Sequence, residues 1–276
     1  MKSLKTPLRY PGGKSRAITK LSQFIPDLSG YKQFRDPFVG GGSVSLYITK
    51  RHPDLSIWVN DLYEPLYTFW DQLQKNGQKM RDELLQLKYR HCDPSSARIL
   101  FQQAKDYLNG TENEPFHRAV SFWVVNKCSF SGLTESSSFS SSASESNFSL
   151  RGIERLPDYS ELIKNWKITN FSYERLMDCD SKIFLYLDPP YDIKDNLYGK
   201  KGSMHKGFDH DEFAKNCNLN KNQPMLISYN SDQLVKDRFD GWKTAEFSHT
   251  YTMRSVGSYN KDQKDRKELV LLNYEI

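Results

Sequence analysis

Ile183-Phe184-Leu185-Tyr186-Leu187 is an unbroken apolar run, and it passes directly into Asp188-Pro189-Pro190-Tyr191. A strand wet on one face alternates apolar and polar residues. A run with no polar break reads instead as a strand covered on both faces, as in a parallel sheet flanked by helices. This feature predicts an α/β fold and places the tetrapeptide at the carboxyl end of a central strand, where open α/β sheets bind their ligands.

The rest of the chain is organised around such a sheet. Tyr31 to Arg35 reads as a strand, Asp36 to Gly42 as a glycine loop, Ser43 to Arg51 as a helix and Ser56 to Asn60 as a strand, together a βαβ unit. From Glu64 to about Phe130 the spacing of apolar residues predicts helices only. Ser131 to Ser149 holds ten serines and no Lys or Arg, which predicts a mobile loop or hairpin. Strand-like runs return at Lys167–Phe171, Ile183–Leu187, Met225–Tyr229, Phe247–Met253 and Leu269–Tyr274. The expected architecture is therefore a Rossmann-like sheet split into residues 1–61 and 166–276. A mostly helical insertion, residues 62–165, lies between the halves and includes a hairpin at 128–152. A length of 276 residues suits one such domain with an insertion.

Composition excludes several classes. No apolar run is long enough for a membrane helix, and the basic start lacks the apolar stretch of a signal peptide, so a cytoplasmic protein is expected. Cys92, Cys128, Cys179 and Cys217 form no C-x-x-C pair, which argues against a zinc site or a disulfide framework. The net charge of +5 is concentrated in residues 1–35, 194–206 and 254–267, segments that could converge on a polyanion.

Three motifs carry chemistry. In Asp188-Pro189-Pro190-Tyr191 the prolines fix φ and remove backbone donors, leaving stiff carbonyl acceptors. An exocyclic NH2 offers two donors: the Asp188 carboxylate suits one and a prolyl carbonyl the other. Tyr191 offers an aromatic face to a base turned out of a helix. In Asp36-Pro37-Phe38-Val39-Gly40-Gly41-Gly42 the glycines permit close approach of a ligand at a helix N-terminus. Asp61 follows the next strand at the distance expected of a ribose-binding acid. Gly13-Lys14-Ser15 looks like the tail of a phosphate loop, but Leu8 stands where that loop needs glycine. Lys14 is better suited to neutralising a small carboxylate.

These motifs, with Arg9-Tyr10-Pro11-Gly12-Gly13-Lys14, Phe130-Ser131-Gly132-Leu133 and Leu226-Ile227-Ser228, resemble the adenine-N6 DNA methyltransferases of the Dam type, alpha group. The resemblance spans nearly the whole chain and includes the order of the motifs. It implies S-adenosylmethionine as cofactor, with no metal, and double-stranded DNA as substrate. It also implies that Tyr10 and Lys14 contact the cofactor, Asp61 its ribose and Phe171 its adenine, with Asp36, Phe38, Gly40 and Gly42 forming the cofactor loop. Asp188 would lie where methyl donor and base meet. Arg9, Asn126 and Lys127 would contact DNA, as would Leu133, Glu135 and Arg151 in the recognition hairpin. Members that read GATC follow Gly-Leu with x-Arg; here Thr134-Glu135 follows. A carboxylate accepts from cytosine N4 and cannot donate to guanine, so a target other than GATC is expected.

The motifs leave open methylation of cytosine N4 or of adenine in RNA, and also a non-catalytic DNA-binding protein of the same fold. C5-cytosine methylation is excluded, since none of the four cysteines follows a proline. A monomer is expected, and a cognate restriction endonuclease is left open. Replacing Glu135 is expected to change the methylated sequence more than it lowers nonspecific DNA affinity. Sequencing of methylated DNA from a methylation-free host reads that change directly.

Overall fold

The computed structural model describes residues 5–111, 114–130, 137–178, 180–191, 207–248 and 267–275. Among them the strands are β1 (Gln33–Asp36), β2 (Ser56–Asn60), β3 (Lys167–Thr169), β4 (Ile183–Leu187), β5 (Met225–Asn230), β6 (Lys243–Ser248) and β7 (Lys267–Leu272). They form one sheet in the order β3-β2-β1-β4-β5-β7-β6. The pairs among β1 to β5 are parallel, whereas β7 runs antiparallel to both β5 and β6. From β1 the chain first builds outward through β2 and β3, then returns to the other side of β1 with β4. The carboxyl ends of β1 and β4 therefore flank the point where strand order reverses, a crevice well suited to a ligand.

The apolar run of β4 is explained by two cores. Phe184 and Tyr186 face one hydrophobic cluster, with Phe34, Leu226, Val270 and Leu272. Leu185 and Leu187 face the other, with Met225, Ile227, Leu269 and Leu271. The second cluster is closed by two helices, α9 (His210–Leu219) through Phe213, Ala214 and Cys217, and α10 (Gln233–Arg238) through Val235. At the edge, β6 exposes Lys243 and Thr244 and half-buries Ala245 and Phe247. Its polar residues hid its start, which precedes the predicted Phe247; most of the remainder of that predicted run lies outside the described residues.

Between β2 and β3 most of the described residues are helical. They include α3 (Glu64–Arg90), α4 (Pro94–Asn109), α5 (Pro115–Cys128), α6 (Ser141–Ser146), α7 (Leu150–Glu154) and α8 (Leu156–Leu162). Pro94 and Pro115 occupy first helical positions, where no backbone donor is needed, after the capping carboxylates of Asp93 and Glu114. The predicted hairpin at 128–152 is shorter than expected. Phe130 N donates to Ser138 O at 3.1 Å and Ser140 N to Cys128 O at 2.9 Å, which closes its base. Beyond that the chain is helical, because the Ser140 hydroxyl caps α6 and the Ser149 hydroxyl caps α7. Serine here starts helices as well as filling a loop.

These helices share the sheet's first core. Phe69, Trp70, Phe122 and Trp123 are fully buried in the same cluster as Phe34 and Phe184. Trp166 packs on Trp70 at 5.7 Å and donates to Thr49 Oγ1 at 2.8 Å, joining the segment between α8 and β3 to α3 and to α2 (Ser43–Arg51), the helix after the short α1 (Ile18–Leu21). In α3, Asn76 leaves helical geometry at φ −132°, and Gly77 meets α8 so closely that an added Cβ would stand 2.4 Å from Ser160 Cβ. Gly→Ala in a helix ordinarily stabilises. Gly77→Ala is expected to destabilise by about 2 kcal/mol, since overpacking outweighs the propensity gain. Urea unfolding of the two proteins checks the sign.

Candidate active site

The N-terminal segment crosses the carboxyl edge of the sheet and delivers Lys14 into it. Lys14 is 2% exposed, and its Nζ donates to both oxygens of Asp188 at 2.8 Å, to the Tyr191 hydroxyl at 2.8 Å and to Gly12 O at 3.0 Å. The carboxylate that Lys14 neutralises is therefore the chain's own, rather than a ligand's. Tyr191 in turn donates to Glu268 Oε1 at 2.5 Å, and Glu268 lies 3.3 Å from Lys14 Nζ. Burial works against the ammonium, but Asp188 and Glu268 outweigh it and hold Lys14 above the usual lysine range. Burial pushes Asp188 up to about 6; Lys14 opposes that rise and Glu268 adds to it.

Tyr191 differs from expectation. Its ring is 6% exposed, stacks on Tyr229 at 5.6 Å and carries Lys14 Nζ 4.9 Å from its centroid. So placed, it offers no open face for a base; its hydroxyl joins Lys14 to Glu268 instead. Pro189 and Pro190 do line the cleft.

The glycine loop after β1 is shaped by aromatic side chains of the protein itself. Gly40 and Gly42 have φ of +47° and +71°. A Cβ at Gly40 would approach the Tyr10 ring to 3.1 Å, and one at Gly42 would reach Trp70 at 2.6 Å. Trp70 Nε1 also donates to Gly40 O at 3.0 Å. Asp61 accepts from Gly40 N and Tyr63 N, each at 3.0 Å, through different oxygens. Each oxygen keeps lone-pair capacity for a ligand hydroxyl. Burial raises Asp61 to about 6, against those two amide donors. Asn60, fully buried, accepts from Phe171 N at 2.8 Å and donates to Phe171 O at 2.9 Å and Pro37 O at 3.1 Å. This fixes the backbone of Phe171 while its side chain stays 45% exposed at the cleft, not packed in the core. Phe38 stacks on Tyr173 at 5.5 Å to form another wall.

Together these residues enclose a cleft of about 300 Å³ at the β1–β4 switch point. Its described lining carries six carboxyl side chains (Asp36, Asp61, Glu174, Asp188, Asp209, Glu212) and one cationic one, Lys14. Asp36 keeps its proton at neutral pH and Asp188 is paired with Lys14, and the four carboxyls that remain favour a positively charged ligand.

The residues expected at DNA are arranged differently. Asn126 is fully buried, accepting from Arg9 N at 3.0 Å and donating to Arg9 O at 2.6 Å, so it holds Arg9 rather than reaching a phosphate. The Arg9 guanidinium donates to Ser129 O at 2.8 Å and Phe130 O at 3.2 Å, gripping the hairpin base. Lys127 is half-buried beside Trp123; burial, with Arg9 nearby, pushes it down to about 7. Arg151 is exposed on α7. Leu133 and Glu135 lie outside the described residues, as does most of the basic stretches 194–206 and 254–267. The sequence reading missed Glu268, Trp70 and Asn60. The only available signal was a lone acid at the head of the apolar run Leu269–Leu272, an unusual neighbour for a buried strand.

The model of the D12 class of N6 adenine-specific DNA methyltransferases matches residues 10–253. The chain belongs to that family. Similar proteins include the type II methyltransferase M.MjaIII of Methanocaldococcus jannaschii, 23% identical, with 97% of this chain and 98% of that protein covered. The type II methyltransferase M.CviBI of Paramecium bursaria Chlorella virus NC1A is 19% identical, with 98% and 100% covered. A shorter match, 25% identical over 46% of this chain and 15% of the relative, is to the DNA N-6-adenine-methyltransferase of Escherichia phage P1. The chain is thus an adenine-specific DNA methyltransferase, as its motif order implied.

Asp36 supplies a test of the site's electrostatics. It is 1% exposed, and burial raises it to about 8, against hydrogen bonds from Ser45 and Phe38 N. Between pH 4 and 8 the folded chain thus holds a proton that the unfolded chain has released, so this contribution to stability is lost as pH rises toward 8. Asp36→Asn is expected to lose less melting temperature than the parent between pH 5 and 8. Asp61 and Asp188 titrate in both proteins, so parallel thermal-melting curves would refute the assignment.

Proposed function

We propose that the cleft binds S-adenosylmethionine and that Asp188 receives the exocyclic amine of an adenine turned out of duplex DNA. The observation that carries this reading is the position of Asp188, buried on Lys14 yet open on the cleft side, with its side chain 19% exposed. When bound, the cofactor supplies an electrophilic methyl group. The fit rests on the exposed Phe171 ring, clamped by Asn60 and suited to an adenine face, on Asp61, suited to ribose hydroxyls, and on the acidic lining, suited to a sulfonium. Tyr10 and Phe38 complete the walls, and Gly40 and Gly42 shape the loop between them.

Asp188 and a carbonyl of Pro189 or Pro190 accept hydrogen bonds from the two N6–H groups and orient the lone pair toward the donor. Orientation and acceptor strength are the protein's contribution. Asp188 does not abstract a proton early, because a neutral aminopurine NH2 is far too weak an acid; the N6 proton becomes acidic once the methyl has arrived. Tyr191 fixes Lys14, and Lys14 keeps Asp188 largely ionised at neutral pH.

Residues 62–165 are proposed as the target-recognition insertion, with the hairpin after α5 as the reading element. Arg9 positions that hairpin through its base, and exposed Arg151 and half-buried Lys127 are proposed as the described basic side chains that meet phosphate. Target specificity outside GATC follows from Glu135. Action as a monomer in the cytoplasm, with or without a cognate endonuclease, completes the proposal.

Methyl-labelled cofactor incubated with duplex DNA, followed by nucleoside analysis, is expected to yield N6-methyladenine. Label on N4-methylcytosine, in RNA alone, or nowhere would defeat the reading. Asp188→Ala is expected to stay folded at reduced stability, since Glu268 still pairs with Lys14, and to lose roughly 10²-fold or more in transfer rate. Near-parental turnover in a folded Asp188→Ala protein would move the acceptor elsewhere.

A further inference from the structure

Glu268 stands on β7, the strand that reverses direction, and the proposed transfer does not itself require a second buried carboxylate behind Asp188. It is fully buried, and its Oε1 accepts from the hydroxyls of Tyr191 and Ser228 while facing Lys14 at 3.3 Å. Either hydroxyl could be satisfied by a neutral acceptor, and an unneeded buried charge is costly. The cost makes sense if the charge acts on Lys14. One ammonium stands between two carboxylates, and whatever charge it shares with Glu268 it withholds from Asp188.

We infer that Glu268 is a positioning residue that sets how strongly Asp188 accepts a hydrogen bond, by competing with it for the Lys14 ammonium. The inference rests on Asp188 being the amine acceptor of the proposed function. With Glu268 present, Lys14 neutralises Asp188 incompletely, so the carboxylate stays basic enough to polarise an NH2 group. Without that charge, Lys14 would belong wholly to Asp188: more easily ionised, but a poorer acceptor. The other groups facing Asp188 are Asp36 from the end of β1, Tyr186 from β4 and Tyr191 from its own loop. None of these competes for Lys14 as a second full carboxylate in contact with it.

The test is Glu268→Gln, which keeps size and a hydrogen-bond acceptor and removes only the charge. Two readouts are compared with the parent: the acid limb of the kcat–pH profile for methyl transfer to duplex DNA, and the titration of the Asp188 carboxyl carbon by 13C NMR in the ligand-free chain. Both midpoints are expected to fall by about one pH unit, with the kcat plateau about tenfold lower and KM for DNA little changed. A merely structural residue would lower kcat without moving either midpoint. If the glutamine variant does not fold, Ser228→Ala carries the test with opposite sign, because the Ser228 hydroxyl donates to Glu268. Loss of the hydroxyl that donates to Glu268 leaves that carboxylate freer to draw Lys14 away, and the Asp188 midpoint should rise. Midpoints that stay in place in a folded variant of either kind overturn the inference. Absence of transfer by the parent protein would instead overturn the proposed function, a result the ligand-free titration does not depend on.

Discussion

A buried ammonium ion organises this molecule. Taking a lysine charge out of water is prohibitively costly unless it is paired and fully hydrogen-bonded. Lys14 meets that demand with Asp188 from the end of β4, Tyr191 from the loop beyond it, Gly12 O from its own segment and Glu268 from β7. No two of the three side-chain sources, residues 14, 188–191 and 268, are close in sequence. The cation can be satisfied only when the N-terminal segment, the central parallel strands and the antiparallel strand are all in place. Folding of the sheet and assembly of the site are thus one event.

Much of this was legible in the chain. The helix Ser43–Arg51 and the strands Ser56–Asn60 and Ile183–Leu187 have the ends read from the sequence, because turn residues and apolar runs mark them sharply. Asp36, Asp61, Phe171 and Asp188 do converge on one cleft, since parallel strands present their carboxyl ends on the same edge. Tyr191 and Asn126 are of types that suit a substrate-facing position, but both turn inward. A residue type announces the bonds it can make, not the partner it finds. For Tyr191 that partner is Glu268, 77 positions away, and for Asn126 it is Arg9, 117 positions away. Glu268 escaped notice for the same reason, as its meaning lies wholly in contacts across the sheet.

The glycine loop offers a similar lesson. Its glycines suggest space for a ligand, yet the close approaches in the structure come from Tyr10 and Trp70. These two rings hold the loop from opposite neighbours, one in the N-terminal segment and one in α3. The backbone proposed to meet the cofactor is therefore shaped in advance, and little ordering would remain to be done on binding.

The chain leaves the sheet at Asn60 and returns at Lys167 on the adjoining parallel strand, so the helical segment between them, the proposed insertion, begins and ends at neighbouring points. Homologues could exchange such a segment by recombination without disturbing strand order. They could not exchange it alone. Arg9 is clasped by Asn126 and grips the carbonyls of Ser129 and Phe130, and the Tyr159 hydroxyl donates to Lys5 O. A graft of the insertion into another scaffold would have to bring residues 5–9 with it, making the inheritable unit a discontinuous one whose shorter piece lies ahead of the entire sheet.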